Sequence, residues 1–365
     1  MKKILFIGGS GKAGRDAISY ILEHSDASIR VSTLNSRPDF SGLDRYASRL
    51  SHCHLDVFSE QELRSEVERY DLVVSAAGPS CITGTRVIDA AWNTGTAVVD
   101  VGGYDPAFRY IDRKKQEVQN TAPVIINAGL LPGLSGVFPL ELIREFRNRY
   151  RPASRMSLDE CYVGRDAWSV NSSRDIIYGM AGFGEKPRGT VHFRNGKLEK
   201  VPFFKALRKQ TFPGTGGPVP VMMLYAEELA RLMREQNLRD LDVYGANIGK
   251  RAARSLMFTG LFRRFRNMDQ INASARRLAR ASAADLKTAE PYYGITCRVG
   301  DLEGNTLTRT LTMGNTYRGT AMILGITACM VLEGRCADGA GSLHQMVPSD
   351  QLMNALLETG AARIA

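Results

Sequence analysis

The amino terminus of this chain restricts its fold more than any other segment. A short apolar run at positions 4–7 ends in a turn with glycines at 8, 11 and 14, and a helical pattern follows with its apolar face at Ala17, Ile18, Ile21 and Leu22. A strand, a glycine turn and an amphipathic helix in this order form the first half of a βαβ unit. The apolar run is too short for the core of a signal peptide.

The alternation of apolar runs and helical patterns continues through the first 130 residues. Further apolar runs lie at 29–34, 52–57, 72–75, 97–101 and 124–127, and helical patterns lie at 60–69, 84–94 and 106–121. Continuous apolar strands separated by helices are typical of a parallel sheet covered on both faces. We therefore predict an α/β fold whose first domain is a Rossmann doubly wound parallel sheet of six strands.

The pattern changes after about Pro139. Strand-like runs at 190–194 and 197–201 flank Asn195-Gly196, which is a hairpin turn signal, and runs at 292–299 and 306–313 flank a second turn at 302–305. A further strand is predicted at 156–163, with helical stretches at 225–236 and 253–286 and again at 318–332 and 348–359. These features predict an inserted α+β domain with a mixed or antiparallel sheet, followed by helices that pack back against the first domain.

The glycine turn predicts a site for the diphosphate of a dinucleotide. Gly8 permits the sharp turn off the strand, Gly11 lets the backbone approach the diphosphate, and Gly14 lets the helix lie close to the sheet. The helix start and its dipole favour a negative charge. We expect the same turn to bind the cofactor through Ser10, Lys12 and Ala13.

The residues after the second strand favour NADP(H) over NAD(H). An NAD site usually has an acidic residue at this position, which bonds the ribose hydroxyls. This chain has Asn35, Ser36 and Arg37 instead, and the arginine can pair with a 2′-phosphate. The alternative is that Arg37 is a solvated turn residue beside Pro38.

The ends of the third and fourth predicted strands supply the rest of the cofactor site. Asp56 and Val57 lie where an adenine edge is expected. Ala77, Gly78 and Pro79 are small enough to leave room for the ribose and nicotinamide at the carboxyl edge of the sheet.

Two other kinds of site were considered. Tyr110 and Lys114 have the Tyr-x-x-x-Lys spacing of short-chain dehydrogenases, but they follow Gly78 too closely for that class. His52 and His54 would share one face of a strand without further ligands, so we predict no metal site. The six cysteines form no Cys-x-x-Cys pair and indicate reduced thiols.

Several short motifs resemble one known family. The chain has Ala-Ala-Gly-Pro at 76–79, Val-Asp-Val-Gly-Gly-Tyr at 99–104, Ala-Gly-Leu-Leu-Pro-Gly-Leu-Ser at 128–135 and Tyr-Arg-Gly-Thr-Ala at 317–321. In this order and spacing they resemble the saccharopine dehydrogenase-like NAD(P)-binding oxidoreductases. The resemblance covers about half of the chain and both of its ends, and the middle of the chain, 150–290, is not matched residue by residue.

The resemblance implies a split Rossmann domain and a class of reaction. It implies an NADP-binding domain formed by 1–130 plus 318–365, a substrate and dimerisation domain at 131–317, and a homodimer. It also implies hydride transfer at a C=N or CH–NH bond of an amino-acid-derived or secondary-metabolite substrate. Two alternatives stay open: an enoyl reductase acting on a C=C bond of a carrier-bound or lipid intermediate, and a non-catalytic NADP(H) sensor.

Candidate catalytic residues follow from the same segments. Gly129 lies in a glycine-rich turn that would let the backbone approach the nicotinamide ring. Asp100, Tyr104 and Ser135 are the candidates for proton transfer or substrate orientation. The alternative for Asp100 is a carboxylate that caps its own loop, and the alternative for Tyr104 is a packed core tyrosine.

The charge balance favours acidic partners. Lys plus Arg number 48 against 38 Asp plus Glu, a formal net charge of +10, and nine of the basic residues fall within 250–280 among leucines and phenylalanines. That stretch is a solvated helix face, or it docks an acidic carrier protein or a membrane surface. No nucleic-acid-binding motif accompanies it. Because no apolar run reaches the ~20 residues of a membrane span, we expect a cytoplasmic protein acting on a small molecule.

Overall fold

The structure, a computed structural model, describes residues 1–34, 38–117, 121–185 and 188–365. The chain divides into two compact units. The first contains Met1–Leu134 and Tyr317–Thr359, and the second contains Ser135–Thr316 and Gly360–Ala365.

The first 134 residues alternate strands with helices. The strands are β1 (Lys3–Ile7), β2 (Ser28–Thr33), β3 (Leu50–His54), β4 (Leu72–Ser75), β5 (Ala97–Asp100) and β6 (Val124–Ile126). The helices are α1 (Gly14–His24), α2 (Glu60–Val67), α3 (Ser80–Thr83), α4 (Arg86–Thr94) and α5 (Tyr104–Glu117). The strands pair in parallel in the order β6-β5-β4-β1-β2-β3. This confirms the predicted Rossmann arrangement, whose central strands are apolar because helices cover both faces.

The second unit contains a mixed sheet and a group of helices. Its helices are α6 (Leu134–Tyr150), which begins one residue before the unit, α7 (Val170–Met180), α8 (Glu227–Glu235), α9 (Lys250–Leu261) and α10 (Met268–Asp285). Its strands are β7 (Ser157–Arg165), β8 (Val191–Arg194), β9 (Lys197–Lys200), β10 (Leu207–Gln210), β11 (Val219–Met223), β12 (Asp240–Asn247), β13 (Tyr292–Gly300) and β14 (Thr306–Met313). Both predicted hairpins, β8–β9 and β13–β14, are present, and β7 pairs in parallel with β12.

The chain then returns to the first unit, as predicted, through α11 (Thr316–Leu332), β15 (Ala340–Ser342), α12 (Leu343–Met346) and α13 (Ser349–Glu358). Strand β15 pairs in parallel with β6, so the Rossmann sheet has seven strands rather than the predicted six. The sequence gives no apolar run there because the strand is Ala-Gly-Ser.

Two further corrections concern the carboxyl-terminal half. The last strand, β16 (Arg363–Ile364), pairs with β14, so 360–365 belong to the second unit and not to the first as predicted. The predicted helical stretch 253–286 is two helices, because a turn at 262–267 separates α9 from α10. Among the described residues, no helix combines the length and the apolar character that crossing a bilayer requires.

Candidate functional site

Four loops of the first unit begin at the carboxyl ends of neighbouring parallel strands. One backbone hydrogen bond joins each adjacent pair just beyond the strands: Ala76 N donates to Ile7 O at 2.8 Å, Val101 N to Ser75 O at 2.9 Å, and Ala128 N to Asp100 O at 2.8 Å. The glycine turn after β1, the loop after β4, the loop after β5 and the loop after β6 therefore lie side by side. This edge is where open α/β sheets bind their ligands.

The glycine turn is packed so closely at two positions that no side chain fits there. Gly8 has a φ of +81°, and a Cβ built there would lie 2.8 Å from the backbone carbonyl of Ala76. A Cβ at Gly14 would lie 2.6 Å from the Cα of Gly9, whereas a Cβ at Gly11 would meet only the Gly8 oxygen at 3.2 Å. Gly8 and Gly14 are therefore required by packing, and Gly11 leaves its outer side open.

The open side of the turn presents Ser10, Gly11 and Lys12, all of them exposed, at the start of α1. The Nζ atom of Lys12 lies 4.6 Å from the ring centroid of Tyr317 in the first turn of α11. This contact holds a positive charge beside the turn, where the helix dipole already favours an anion. The open side of the turn at Gly11, together with this charge, fits the diphosphate of a dinucleotide.

The loop after β5 is held by two side-chain acceptors. Asp100, which is 9% exposed, accepts a hydrogen bond from the Gly102 backbone N at 2.7 Å through Oδ1. The hydroxyl of Ser80 accepts one from the Gly103 N at 3.2 Å. Asp100 therefore has the geometry of the loop-capping alternative, and its catalytic role stays a prediction.

Tyr104 begins α5 with a φ of +47°. Its backbone N donates to Asn127 Oδ1 at 2.8 Å, and Asn127 is itself fully buried with a φ of +57°. An asparagine tolerates this left-handed conformation better than most residues. The sequence predicts Asn127 as the end of a strand, and no local pattern indicates its contact with Tyr104.

The loop after β6 closes on itself. A Cβ at Gly133 would lie 2.2 Å from the Gly129 carbonyl oxygen, and Leu134 N donates to that same oxygen at 2.9 Å. Gly129 is buried, and a Cβ on it would lie 3.4 Å from Val101 Cγ2. The two glycines thus keep the loop compact beside the loop after β5.

The remaining predicted cofactor residues are placed as follows. Strand β3 ends at His54 rather than continuing to 57 as predicted, because Asp56 Oδ1 accepts from the Phe58 N at 2.9 Å and bends the chain. Val57 and Ala77 are partly buried against the apolar core of this unit. Gly78 is exposed and Pro79 is buried. The predicted 2′-phosphate residues Asn35, Ser36 and Arg37 lie outside the described residues.

The structure gives Tyr110 a packing role. Its hydroxyl donates to Asp89, and the residue belongs to the apolar core between the sheet and its helices. Burial and the neighbouring Asp89 carboxylate both raise the pKa of Tyr110, which opposes ionisation. Lys114 Nζ lies 4.0 Å from the same carboxylate. The pair therefore lacks the arrangement of a short-chain dehydrogenase acid, as its position in the sequence suggests.

The last catalytic candidate, Ser135, belongs to the second unit. Its hydroxyl donates to Glu228 Oε2 at 2.5 Å, and both residues are at most 3% exposed. Glu160 is fully buried nearby in this unit, and it accepts a weak hydrogen bond from the Cys297 thiol at 3.7 Å. Burial, reinforced by the charge of Glu228, raises the pKa of Glu160 well above its usual range. Sequence reasoning missed both glutamates, because neither lies in a local motif.

The described part of the chain contains neither a metal-binding cluster nor a disulfide. No group of three or more His, Cys, Asp or Glu side chains there could hold a metal ion. His52 Nε2 lies 2.8 Å from Thr33 Oγ1, and all six cysteines are free thiols.

Comparison with known proteins bears on the first unit most directly. Residues 4–125 match the family model of the saccharopine dehydrogenase NADP-binding domain. This segment contains the glycine turn and the loops after β3, β4 and β5. No curated protein matches the sequence.

Solved structures support the fold of the whole chain. Saccharopine dehydrogenase (L-Glu forming) from Saccharomyces cerevisiae matches with a TM-score of 0.68 and 16% identity over 100% of both chains. A meso-dapdh mutant from Clostridium tetani matches at 0.43 and 12% identity over 96% of both chains. A short-chain dehydrogenase from Veillonella parvula matches at 0.24 and 16% identity, over 28% of this chain and 47% of that one. The match to the yeast enzyme shows that the two chains share a fold.

Proposed function

We propose that this chain is an NADP-dependent oxidoreductase of the saccharopine dehydrogenase-like type and that it transfers hydride at a C=N or CH–NH bond of an amino-acid-derived or secondary-metabolite substrate. The motifs after β4, β5 and β6 support this reaction class, because their resemblance to the family implies chemistry at a carbon–nitrogen bond. The substrate is a small molecule in this proposal.

The observation that carries the proposal is the edge of the first unit where the glycine turn lies beside the loops after β4, β5 and β6. In our assignment the diphosphate is bound by the turn, through Gly8, Ser10, Gly11, Lys12, Ala13 and Gly14. The nicotinamide end faces Ala77, Gly78, Pro79 and Gly129, and the adenine end faces Asp56 and Val57. Asn35, Ser36 and Arg37 are assigned to the 2′-phosphate.

When NADPH is bound, it supplies the hydride from its nicotinamide ring. The contribution of the chain is to position the acceptor carbon and to exclude water. The compact loop from Gly129 to Gly133 suits this role, because close packing at both glycines keeps its backbone fixed.

Proton transfer or substrate orientation is assigned to Asp100, Tyr104 and Ser135. The Asn127 side chain accepts a hydrogen bond from the Tyr104 backbone N and so fixes the backbone of this tyrosine at the sheet edge. The Ser135 hydroxyl donates a hydrogen bond to Glu228, and in our proposal it acts by orienting that carboxyl group. The homodimer, the acidic carrier partner and the cytoplasmic location stay predictions.

The first test is a titration of the purified full chain with NADPH, followed by its fluorescence, and a substrate panel. The panel pairs 2-oxo acids with amino acids, and it includes cyclic imines and enones. We expect saturable NADPH binding and NADPH oxidation with an imine. Oxidation with enones alone would favour the enoyl reductase alternative, and binding without any turnover would favour the sensor.

The cofactor preference is tested by replacing Arg37. We expect Arg37→Asp to weaken NADPH binding about tenfold or more while NADH binding changes little. The reason is that the arginine would pair with the 2′-phosphate, which NADH lacks. Arg45→Asp is the control, since Arg45 is an exposed arginine of the first unit that pairs with Glu23 and is not assigned to the cofactor site. Equal losses for both cofactors in Arg37→Asp would refute the assignment.

A further inference from the structure

The second unit exposes large apolar side chains among arginines at the end of α9. Leu261 is 75% exposed, Met257 68%, Phe262 58% and Phe258 42%. The exposed basic residues of the same helix and the following turn are Lys250, Arg251, Arg254, Arg263, Arg264 and Arg266. We call these ten residues the α9 tip.

The fold does not need these apolar side chains, because α9 is anchored by its other face. Ala252, Ser255 and Thr259 are buried there. The guanidinium of Arg277 on α10 donates to Thr259 Oγ1 at 2.7 Å and lies 4.2 Å from the Phe258 ring centroid. The tip is therefore the outer face of a well-packed helix. Exposed apolar side chains that are grouped together and surrounded by charged residues are typical of an interaction surface.

The charge around the tip selects the kind of partner. Residues 250–280 contain nine Lys or Arg and one acid, Asp269. Among the described residues, only Arg251 of these nine pairs with an acid, Asp285, at 3.9 Å. A second copy of this chain would bring the same positive face against itself, so charge opposes a symmetric contact.

We propose that the α9 tip binds the surface of a membrane that contains anionic phospholipids. Met257, Leu261 and Phe262 would enter the boundary between headgroups and acyl chains, and the surrounding arginines would contact lipid phosphates. An acidic protein would have to offer an apolar groove beside its carboxylates to cover both parts of this surface. A lipid surface satisfies both, because its charge and its apolar interior lie a few ångströms apart.

The proposal is independent of the cofactor site, since it requires neither NADPH nor turnover. The test is co-sedimentation of the full chain with vesicles of phosphatidylcholine alone, or with about one third phosphatidylserine. We expect binding to the anionic vesicles only, and loss of most of it when salt is raised to about 0.5 M.

Matched variants separate the two parts of the surface. We expect Leu261→Ser to lower binding about tenfold, whereas Leu302→Ser has no effect, because Leu302 is 66% exposed but lies between Asp301 and Glu303. Arg264→Gln/Arg266→Gln should lower binding more than Lys115→Gln/Lys287→Gln, which removes the same net charge elsewhere. Circular dichroism checks that each variant is folded.

Five results would overturn the proposal. These are no binding to either vesicle, equal binding to both, or equal losses in the tip and control variants. The fourth is binding that Leu261→Ser leaves unchanged, which would indicate attraction by charge alone, as for an acidic protein. Sedimentation velocity adds a check on self-association: a smaller species for Leu261→Ser than for the wild type would assign the tip to a contact between copies, and would also refute the proposal.

Discussion

The glycine turn of the first unit and the buried carboxyl group of the second are built in opposite ways. The turn is one contiguous segment, residues 8–14, and its exposed part offers backbone and a lysine to an anion. The buried group joins Ser135 to Glu228, which is 93 positions away in the sequence, and adds the fully buried Glu160. The turn depends on the absence of side chains, whereas the buried group depends on side chains meeting in the core.

The difference decides how each region responds to substitution. In the turn, an added methyl group meets backbone that cannot move far, so the effect is steric. In the buried group, a removed oxygen or proton leaves a carboxylate in a medium that solvates charge poorly, so the effect is electrostatic. Four substitutions test this contrast.

The largest effect is expected for Gly14→Ala. The new Cβ would lie 2.6 Å from both the Cα and the oxygen of Gly9, so the backbone must shift. We expect a loss of about 3 kcal/mol in the free energy of unfolding, measured with urea. Gly11→Ala should keep the stability within about 1 kcal/mol and lower NADPH affinity about tenfold, since its methyl group occupies the open side of the turn.

Gly314→Ala is the control for both variants, because nothing lies within 4 Å of a Cβ there and its φ is not positive. It should change neither stability nor affinity. If Gly11→Ala lost stability without losing affinity, the turn would be a structural feature rather than a cofactor site.

The same contrast explains what could be predicted from the sequence. The glycine spacing, the apolar strands and the Asn195-Gly196 hairpin are local patterns, and the Rossmann sheet and the second, mixed sheet are confirmed in the structure. Strand β15 was missed because Ala-Gly-Ser carries no β-type signal, and it forms only where β6 offers an unpaired edge.

The candidate site was predictable where backbone builds it. The loops after β4, β5 and β6 lie together because parallel strands end at one edge, and this order follows from the alternation of elements. The contact between Lys12 and Tyr317, by contrast, joins residues from the two ends of the chain. Glu228 likewise lies on an amphipathic helix, where a glutamate is expected on the solvent face, but the tertiary fold buries it together with Leu229 and Leu232.

Removing the donor from the buried group tests its electrostatic character. We expect Ser135→Ala to lower the free energy of unfolding by about 2 kcal/mol, because a buried carboxyl oxygen of Glu228 loses a hydrogen bond. NADPH affinity should not change. Ser65→Ala is the control: the Ser65 hydroxyl donates to the Glu62 carbonyl at 3.0 Å on an exposed helix, and its loss should cost at most about 0.5 kcal/mol.

The smallest effect is expected for Glu160→Gln, and it should depend on pH. Burial raises the pKa of Glu160 in the folded chain far above its usual 4.5, whereas the unfolded chain ionises near that usual value. Above pH 4.5 the unfolded state releases a proton from Glu160 that the folded state retains. The wild type therefore loses stability as the pH rises through this window, up to the raised pKa of the folded state.

Glutamine cannot ionise, so Glu160→Gln avoids this loss and keeps a side chain of the same shape. We expect the Tm of the variant to exceed that of the wild type by about 3 °C near pH 8, and the gain to disappear as the pH approaches about 4.5. Thermal melts of both proteins at several pH values measure the difference in Tm. The contributions of other titrating groups cancel in this difference. Glu62→Gln, on the exposed surface of α2, should show no such trend. A gain of equal size at every pH would mean that packing, and not the retained proton, distinguishes the two side chains in the core.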